Sequence, residues 1–247
     1  MIIYPTLEIL DGKCVSLTRG RIDEPLLWHV DPVERAKSFA AAGAEWMHLT
    51  DINGLKGEDT NAALCEEIIR SAGIPVQFGG GFRTHDQVAN WIDKGAGRIV
   101  IGTMGTREPD LLRRLAKLYP DQIVLAVDIF EGYIMTDGWR SRSSFTPESY
   151  VTAFDDAPLA GVIVTDIDAD IADRDASLGV ISGLAAQTRH PVIARGTVRG
   201  IDDVARLKYV KNISGTLIGR ALLARDVDLG EVLAMAAAAP EPVADFQ

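Results

Sequence analysis

Four stretches of this 247-residue chain occur twice, in the same order and at nearly constant spacing. Residues 5–12 align with 125–132 at an offset of 120, setting Glu8 against Asp128. Residues 49–52 align with 164–167 at an offset of 115, setting Thr50 and Asp51 against Thr165 and Asp166. Residues 75–83 align with 191–199 at an offset of 116, and Ile101-Gly102 aligns with Ile218-Gly219 at an offset of 117. Repetition on this scale means that one supersecondary pattern is used twice. Each half must therefore fold to an equivalent shape, about 1–120 and 121–240, and no linker-like stretch separates them.

Each half carries four apolar, β-branched runs. They fall at 2–9, 46–51, 75–78 and 98–102, then at 123–128, 161–166, 191–194 and 216–219. The runs are near-continuous rather than alternating, as in strands of a parallel sheet buried on both faces. Helix-like segments lie between them at 31–43, 61–71, 85–94, 109–119, 147–154, 176–188, 202–208 and 229–238. Asp31-Pro32 opens the first with a capping residue and a proline at the first turn. Eight strands alternating with helices over about 250 residues predict an α/β fold of the (β/α)₈ TIM-barrel type. The competing arrangement is an open, doubly wound sheet, which also has half-repeats but fewer strands in each. The expectation is a single closed barrel with approximate two-fold internal symmetry.

The composition is that of an ordinary globular chain, with 47% hydrophobic and 24% charged residues. No apolar run approaches the length of about 20 residues that a spanning helix needs, and residues 1–5 carry no basic leader. A formal net charge of −10 makes a nucleic-acid partner improbable. Cys14 and Cys65 lack metal-ligand spacing and read as reduced thiols, so a cytoplasmic location is expected. Two fused half-barrels need no partner to close, which makes a monomer the default.

In such a barrel the active site lies at the carboxyl ends of the strands. The first strand of each half ends in a carboxylate, Glu8 and Asp128, after apolar residues suited to a core. A carboxylate seldom occupies such a place without a purpose. One reading is a hydrogen-bonded turn; the other is an acid/base pair facing across the barrel mouth. The third and fourth strands of each half run into glycines: Gly79-Gly80-Gly81 and Gly102-Thr103, then Gly196-Thr197 and Gly219-Arg220. Such glycines let backbone N–H groups approach a phosphate, and a following helix start favours an anion. Arg83 and Arg220 can add positive charge. The pattern predicts two phosphate half-sites on opposite sides of the mouth. Thr165 stands to hydrogen-bond near Asp128 or to pack as a strand residue. Asp51 and Asp166 read equally well as turn caps.

Asp166, Asp168, Asp170, Asp173 and Asp175 crowd one loop. A calcium loop would want glycine at its sixth position, where Ile171 stands, so a solvated acidic loop is expected and no metal site. Trp139 could stack on a flat ring or fill a core. His29, His48, His85 and His190 have no triad-like context.

These residues resemble the ProFAR isomerases of histidine biosynthesis, the phosphoribosylformimino-aminoimidazole-carboxamide ribotide isomerases. The resemblance spans nearly the whole chain. It rests on residues 7–13, 42–49 and 73–81, on Ile101-Gly102-Thr103, and on Asp137-Gly138-Trp139. The last motif is unlike that of the sister cyclase. The resemblance implies an Amadori rearrangement of an aminoaldose carrying two phosphates, with no cofactor. It implies Glu8 as the base that takes the C2 proton, Asp128 as the acid that protonates the ribose ring oxygen, Thr165 as their aid and Trp139 as a stacking surface. It places Arg19, Gly81, Gly102 and Thr103 near one phosphate, and Gly196, Gly219 and Arg220 near the other.

The chain departs from that family's pattern at several positions. The family has aspartate where Glu8 stands, arginine at Ser16 and aspartate at Arg21. Its sixth loop reads Asp-Gly-Thr where this chain has Asp170-Ile171-Ala172, and its seventh strand ends Ser-Gly-Gly where this chain has Arg195-Gly196-Thr197. Arg195 could bind an anion or pair with the loop aspartates. The departures leave two alternatives to a ProFAR substrate. One is a mono-phosphorylated substrate resembling phosphoribosylanthranilate; the other is a phosphorylated metabolite bound without catalysis. A working but poorly placed base should gain rate on Glu8→Asp, and a binding protein should not.

Overall fold

The computed structural model describes residues 1–167 and 174–237. Its first half runs β1 (Ile2–Leu10), β2 (Lys13–Ser16), β3 (Leu26–Trp28), α1 (Pro32–Ala41), β4 (Met47–Asp51), α2 (Ile52–Lys56), α3 (Ala62–Ser71), β5 (Val76–Gly79), α4 (His85–Asp93), β6 (Arg98–Ile101), α5 (Thr103–Arg107) and α6 (Pro109–Leu118). The second runs β7 (Ile123–Phe130), β8 (Tyr133–Thr136), β9 (Ser141–Arg142), α7 (Pro147–Thr152), β10 (Gly161–Asp166), α8 (Arg174–Ala185), β11 (Val192–Arg195), α9 (Ile201–Lys208), β12 (Ile213–Ile218), α10 (Arg220–Leu223) and α11 (Leu229–Ala236).

Eight of the strands pair in parallel around a closed circuit, β1-β4-β5-β6-β7-β10-β11-β12 and back to β1. None of the eight has a free edge on that circuit, which removes the open doubly wound alternative. The fold is a (β/α)₈ barrel. Among the described residues no helix is long and apolar enough to cross a membrane.

Side chains alternate across the staves as the pleat requires. Leu7, Ile9, Met47 and Leu49 point outward and are buried under the helices. Tyr4, Val124, Ile163, Ile193 and Leu217 form a separate inner cluster that fills the barrel. Each such buried aliphatic side chain is worth about 1.5–3 kcal/mol. Arg98 closes the amino-terminal end: it donates to the Tyr4 hydroxyl at 3.0 Å and lies 4.4 Å from the Trp46 ring centre. The interior therefore opens toward the carboxyl ends of the strands.

The helices start where the sequence signals them. The Asp31 side chain accepts the Glu34 N–H, with Pro32 in the first turn. Thr84 and Gln87 form a reciprocal capping box on α4.

The repeat survives in the backbone. Asp11-Gly12 turns β1 into β2 with φ of 48° and 75°, and Glu131-Gly132 turns β7 into β8 with 50° and 77°. Both are the left-handed turns whose twist suits a two-residue hairpin. Gly102 and Gly219 likewise precede α5 and α10 in one conformation, φ/ψ −107°/−86° and −111°/−79°.

Candidate active site

One inward-facing residue at the carboxyl end of each stave, four from each half, lines the barrel mouth. By the repeat they form four pairs: Glu8 with Asp128, Thr50 with Thr165, Gly79 with Arg195, and Gly102 with Gly219. Two members of a pair are separated by four staves in either direction. The two carboxylates thus face each other across the axis, and so do the two helix-starting glycines.

Trp139 and Arg195 stand between two cavities and line both. The smaller, of about 70 Å³, holds Asp128, Gly81, Arg83, Gly102 and Thr103. The larger, of about 610 Å³, holds Glu8, Thr165, Arg19, Gly196, Gly219 and Arg220. Arg19 therefore lies with Gly219 and Arg220, not at the Gly81 end where the resemblance placed it. Its backbone is left-handed at φ 51°, and its guanidinium carbon lies 5.4 Å from the Phe130 ring centre.

Asp128 and Thr165 are cross-strand neighbours in register on β7 and β10. Asp128 Oδ1 and Thr165 Oγ1 are both buried and have no hydrogen-bond partner among the described residues. A buried polar atom left unsatisfied costs about 1–3 kcal/mol, so these two groups are held against stability at the place where a ligand would supply partners.

Glu8 is differently placed. Arg195 Nη2 donates to its Oε1. Both side chains are largely shielded, at 14% and 18% exposure. Arg195 thus pairs across the mouth with the carboxylate, where the sequence left open an anion or the loop aspartates.

Trp139 belongs to three successive left-handed residues, Asp137, Gly138 and Trp139, with φ of 56°, 64° and 65°. A bulky residue there is strained by roughly 1–3 kcal/mol. The surroundings hold the turn: the Asp137 N–H donates to Thr103 Oγ1 at 2.8 Å, and Arg107 pairs with the Asp137 carboxylate at 2.6 Å. The indole lies so close to Gly20 that an added Cβ there would stand 3.1 Å from its ring. Thr103 therefore orients the tryptophan turn, in addition to following Gly102 at the mouth.

Arg83 also has a structural duty. Its guanidinium donates to the carbonyls of Gly81 at 2.8 Å and Leu55 at 2.9 Å, tying the β5–α4 loop to α2. Gly81 has φ 75°, and a Cβ there would lie 2.0 Å from the Gly54 carbonyl oxygen.

Beneath the mouth, His48 bridges Thr50 and Gln77. Its Nε2 is 2.9 Å from Thr50 Oγ1, and Gln77 Nε2 is 3.2 Å from its Nδ1. Burial, reinforced by the Arg195 charge, holds the imidazole well below its ordinary value and neutral. Asp51 points away from the mouth and accepts from the Asn61 amide at 2.8 Å, and burial raises its carboxyl. Asp166 accepts the Ser177 hydroxyl at 2.6 Å. Cys14 and Cys65 are free and buried, and burial pushes the Cys14 thiol up to about 11. Asp168, Asp170, Asp173 and the Asp175 side chain lie outside the described residues.

A family model described as histidine biosynthesis protein matches residues 2–228. A 1-(5-phosphoribosyl)-5-((5-phosphoribosylamino)methylideneamino)imidazole-4-carboxamide isomerase, numbered 1, from Ruegeria sp. (strain TM1040) is 58% identical over 246 residues, covering all of both chains. The chain belongs to the histidine-biosynthesis isomerase family. An isomerase of the same name, numbered 2, from Ruegeria pomeroyi is also 58% identical over the full length of both chains. A second isomerase of strain TM1040, numbered 2, is 37% identical over 237 residues, 95% of this chain and 99% of its own. These relatives carry the name of the ProFAR isomerase, and the family membership favours that reading over the monophosphate and non-catalytic alternatives.

Proposed function

We propose that this chain isomerises ProFAR, the N-phosphoribosyl aminoaldose with two phosphates, to its aminoketose by acid/base catalysis without a cofactor. The carrying observation is the pair of carboxylates four staves apart, Glu8 with a charge partner and Asp128 with an orphaned buried oxygen. An acid and a base need such different surroundings. In this reading Asp128 protonates the ring oxygen of the ribose and opens it. Glu8 then takes the proton from C2 of the opened imine, and the resulting enolamine gains a proton at C1 and loses its O2 hydroxyl proton to give the aminoketose. Thr165 Oγ1, unpartnered beside Asp128, hydrogen-bonds the reacting sugar. Trp139 offers the imidazole a flat face between the two cavities.

The phosphates go to the two glycine ends. Gly102, Gly81 and Thr103 take one, with Arg83 fixing their loop. Gly196, Gly219, Arg220 and Arg19 take the other. Arg220 already donates to the Leu17 carbonyl at 3.1 Å and the Thr18 hydroxyl at 2.9 Å, which draws the β2–β3 loop toward that end. Both half-sites come from one chain of two half-barrels, which supports a monomer. Free, buried cysteines suit the reducing cytoplasm.

Replacing Asp128 by Asn keeps its shape and removes the acid. Turnover of ProFAR, followed by absorbance, should fall about 10²–10⁴-fold, with melting close to that of the parent. Retained turnover would remove Asp128 from the mechanism.

A further inference from the structure

The repeat supplies an internal control for the contact between Glu8 and Arg195. Glu8 corresponds to Asp128, and Arg195 corresponds to Gly79. The mate of the Glu8–Arg195 pair is thus Asp128 facing a glycine. One half has a long carboxylate held by a guanidinium; the other has a short carboxylate, no side chain opposite, and an orphaned Oδ1. Length and partner change together.

The contact is also one-sided. Arg195 reaches Oε1 of Glu8, and Oε2 has no hydrogen-bond partner among the described residues. Oε2 belongs to a side chain that lines the larger cavity. The guanidinium itself is steadied by Trp139, whose ring centre lies 5.8 Å from Cζ. A glutamate has one more rotatable bond than an aspartate, so its carboxylate sweeps a wider arc unless something anchors it. Misplacing a reacting group by about 1 Å can cost roughly 10²-fold in rate.

We propose that Arg195 is the positioning residue of the Glu8 base, anchoring Oε1 so that Oε2 alone is presented to the substrate. The proposal rests on the isomerase reading of this site. It changes the expectation for Glu8→Asp: the shorter side chain no longer meets Arg195, and the rate falls instead of rising.

A double-mutant cycle tests it. Glu8→Asp and Arg195→Ala should each lower kcat about 10–100-fold, with KM within about threefold of the parent, because positioning acts on the chemical step. The double variant should be no slower than the slower single, since each change removes the same contact. Arg195→Lys should recover part of the rate, because an ammonium can still donate to Oε1. Competitive inhibition by inorganic phosphate should be unchanged in Arg195→Ala. Multiplying losses, or weakened phosphate inhibition with kcat intact, would overturn the proposal and leave the isomerase reading standing. An inactive parent enzyme would overturn the isomerase reading and the proposal with it. If Arg195→Ala fails to fold, Arg195→Lys decides: a kcat equal to the parent's with weakened phosphate inhibition makes Arg195 an anion ligand instead.

Discussion

Single atoms at the barrel mouth set its chemistry apart from one half to the other. Among the described residues Asp128 Oδ1 and Thr165 Oγ1 lack partners, whereas Glu8 Oε1 has one. His48 gives this scale a test through pH. Its folded-state value is depressed well below the ordinary value of about 6.5, so the unfolded chain binds that proton first. Its contribution to stability is therefore complete above about pH 6.5 and is lost as pH falls below it, by up to about 1.4 kcal/mol per pH unit. Denaturant unfolding at pH 8, 7, 6 and 5 should show that loss, and His48→Gln should flatten it. An equal slope in the variant would mean that the acid sensitivity lies elsewhere. The opposed placement of Glu8 and Asp128 was legible in the sequence because the repeat sets two carboxylates in equivalent positions. The Arg195–Glu8 contact was not, because the two residues lie 187 apart. The alignment that set 75–83 against 191–199 did contain the signal, an arginine where the other half has Gly79.

At the scale of elements, the staves were readable because burial on both faces leaves continuous apolar runs. Their ends were less so. Gly102 and Gly219 leave the strands and start α5 and α10, and Arg195 is the last residue of β11. The short pieces β2, β3, α2, α5 and α10 have three to five residues each, too few for a period to show. They matter because they carry the loops over the mouth. Two glycines distinguish conformational from steric need. At Gly132 φ is 77° and an added Cβ would meet nothing within 4 Å, so Gly132→Ala should cost only the left-handed penalty of about 1–2 kcal/mol. At Gly81 φ is similar, but the Cβ would stand 2.0 Å from the Gly54 carbonyl oxygen. Gly81→Ala should cost more than about 4 kcal/mol or shift the loop between β5 and α4. Equal losses in urea unfolding would contradict the close approach of that loop to α2.

The whole molecule repeats one half-barrel and then breaks the symmetry where chemistry needs it. In the proposed reaction, the opposed glycine starts are two equivalent ends for a ligand with two anionic groups. The unequal carboxylates on opposed staves are its acid and its base. Trp139 and Arg195 line both cavities, so a substrate reaching from Gly102 to Gly219 would meet both. The net charge of −10 does not oppose this, because the local donors are arginines and backbone N–H groups. Steady-state conversion of ProFAR by the purified parent protein, followed by absorbance, is the decisive measurement of this activity. Turnover is expected at an enzyme-like rate, on the order of 1 s⁻¹ or faster, falling about 10²–10⁴-fold in Asp128→Asn. No conversion by the folded parent protein would contradict the isomerase reading.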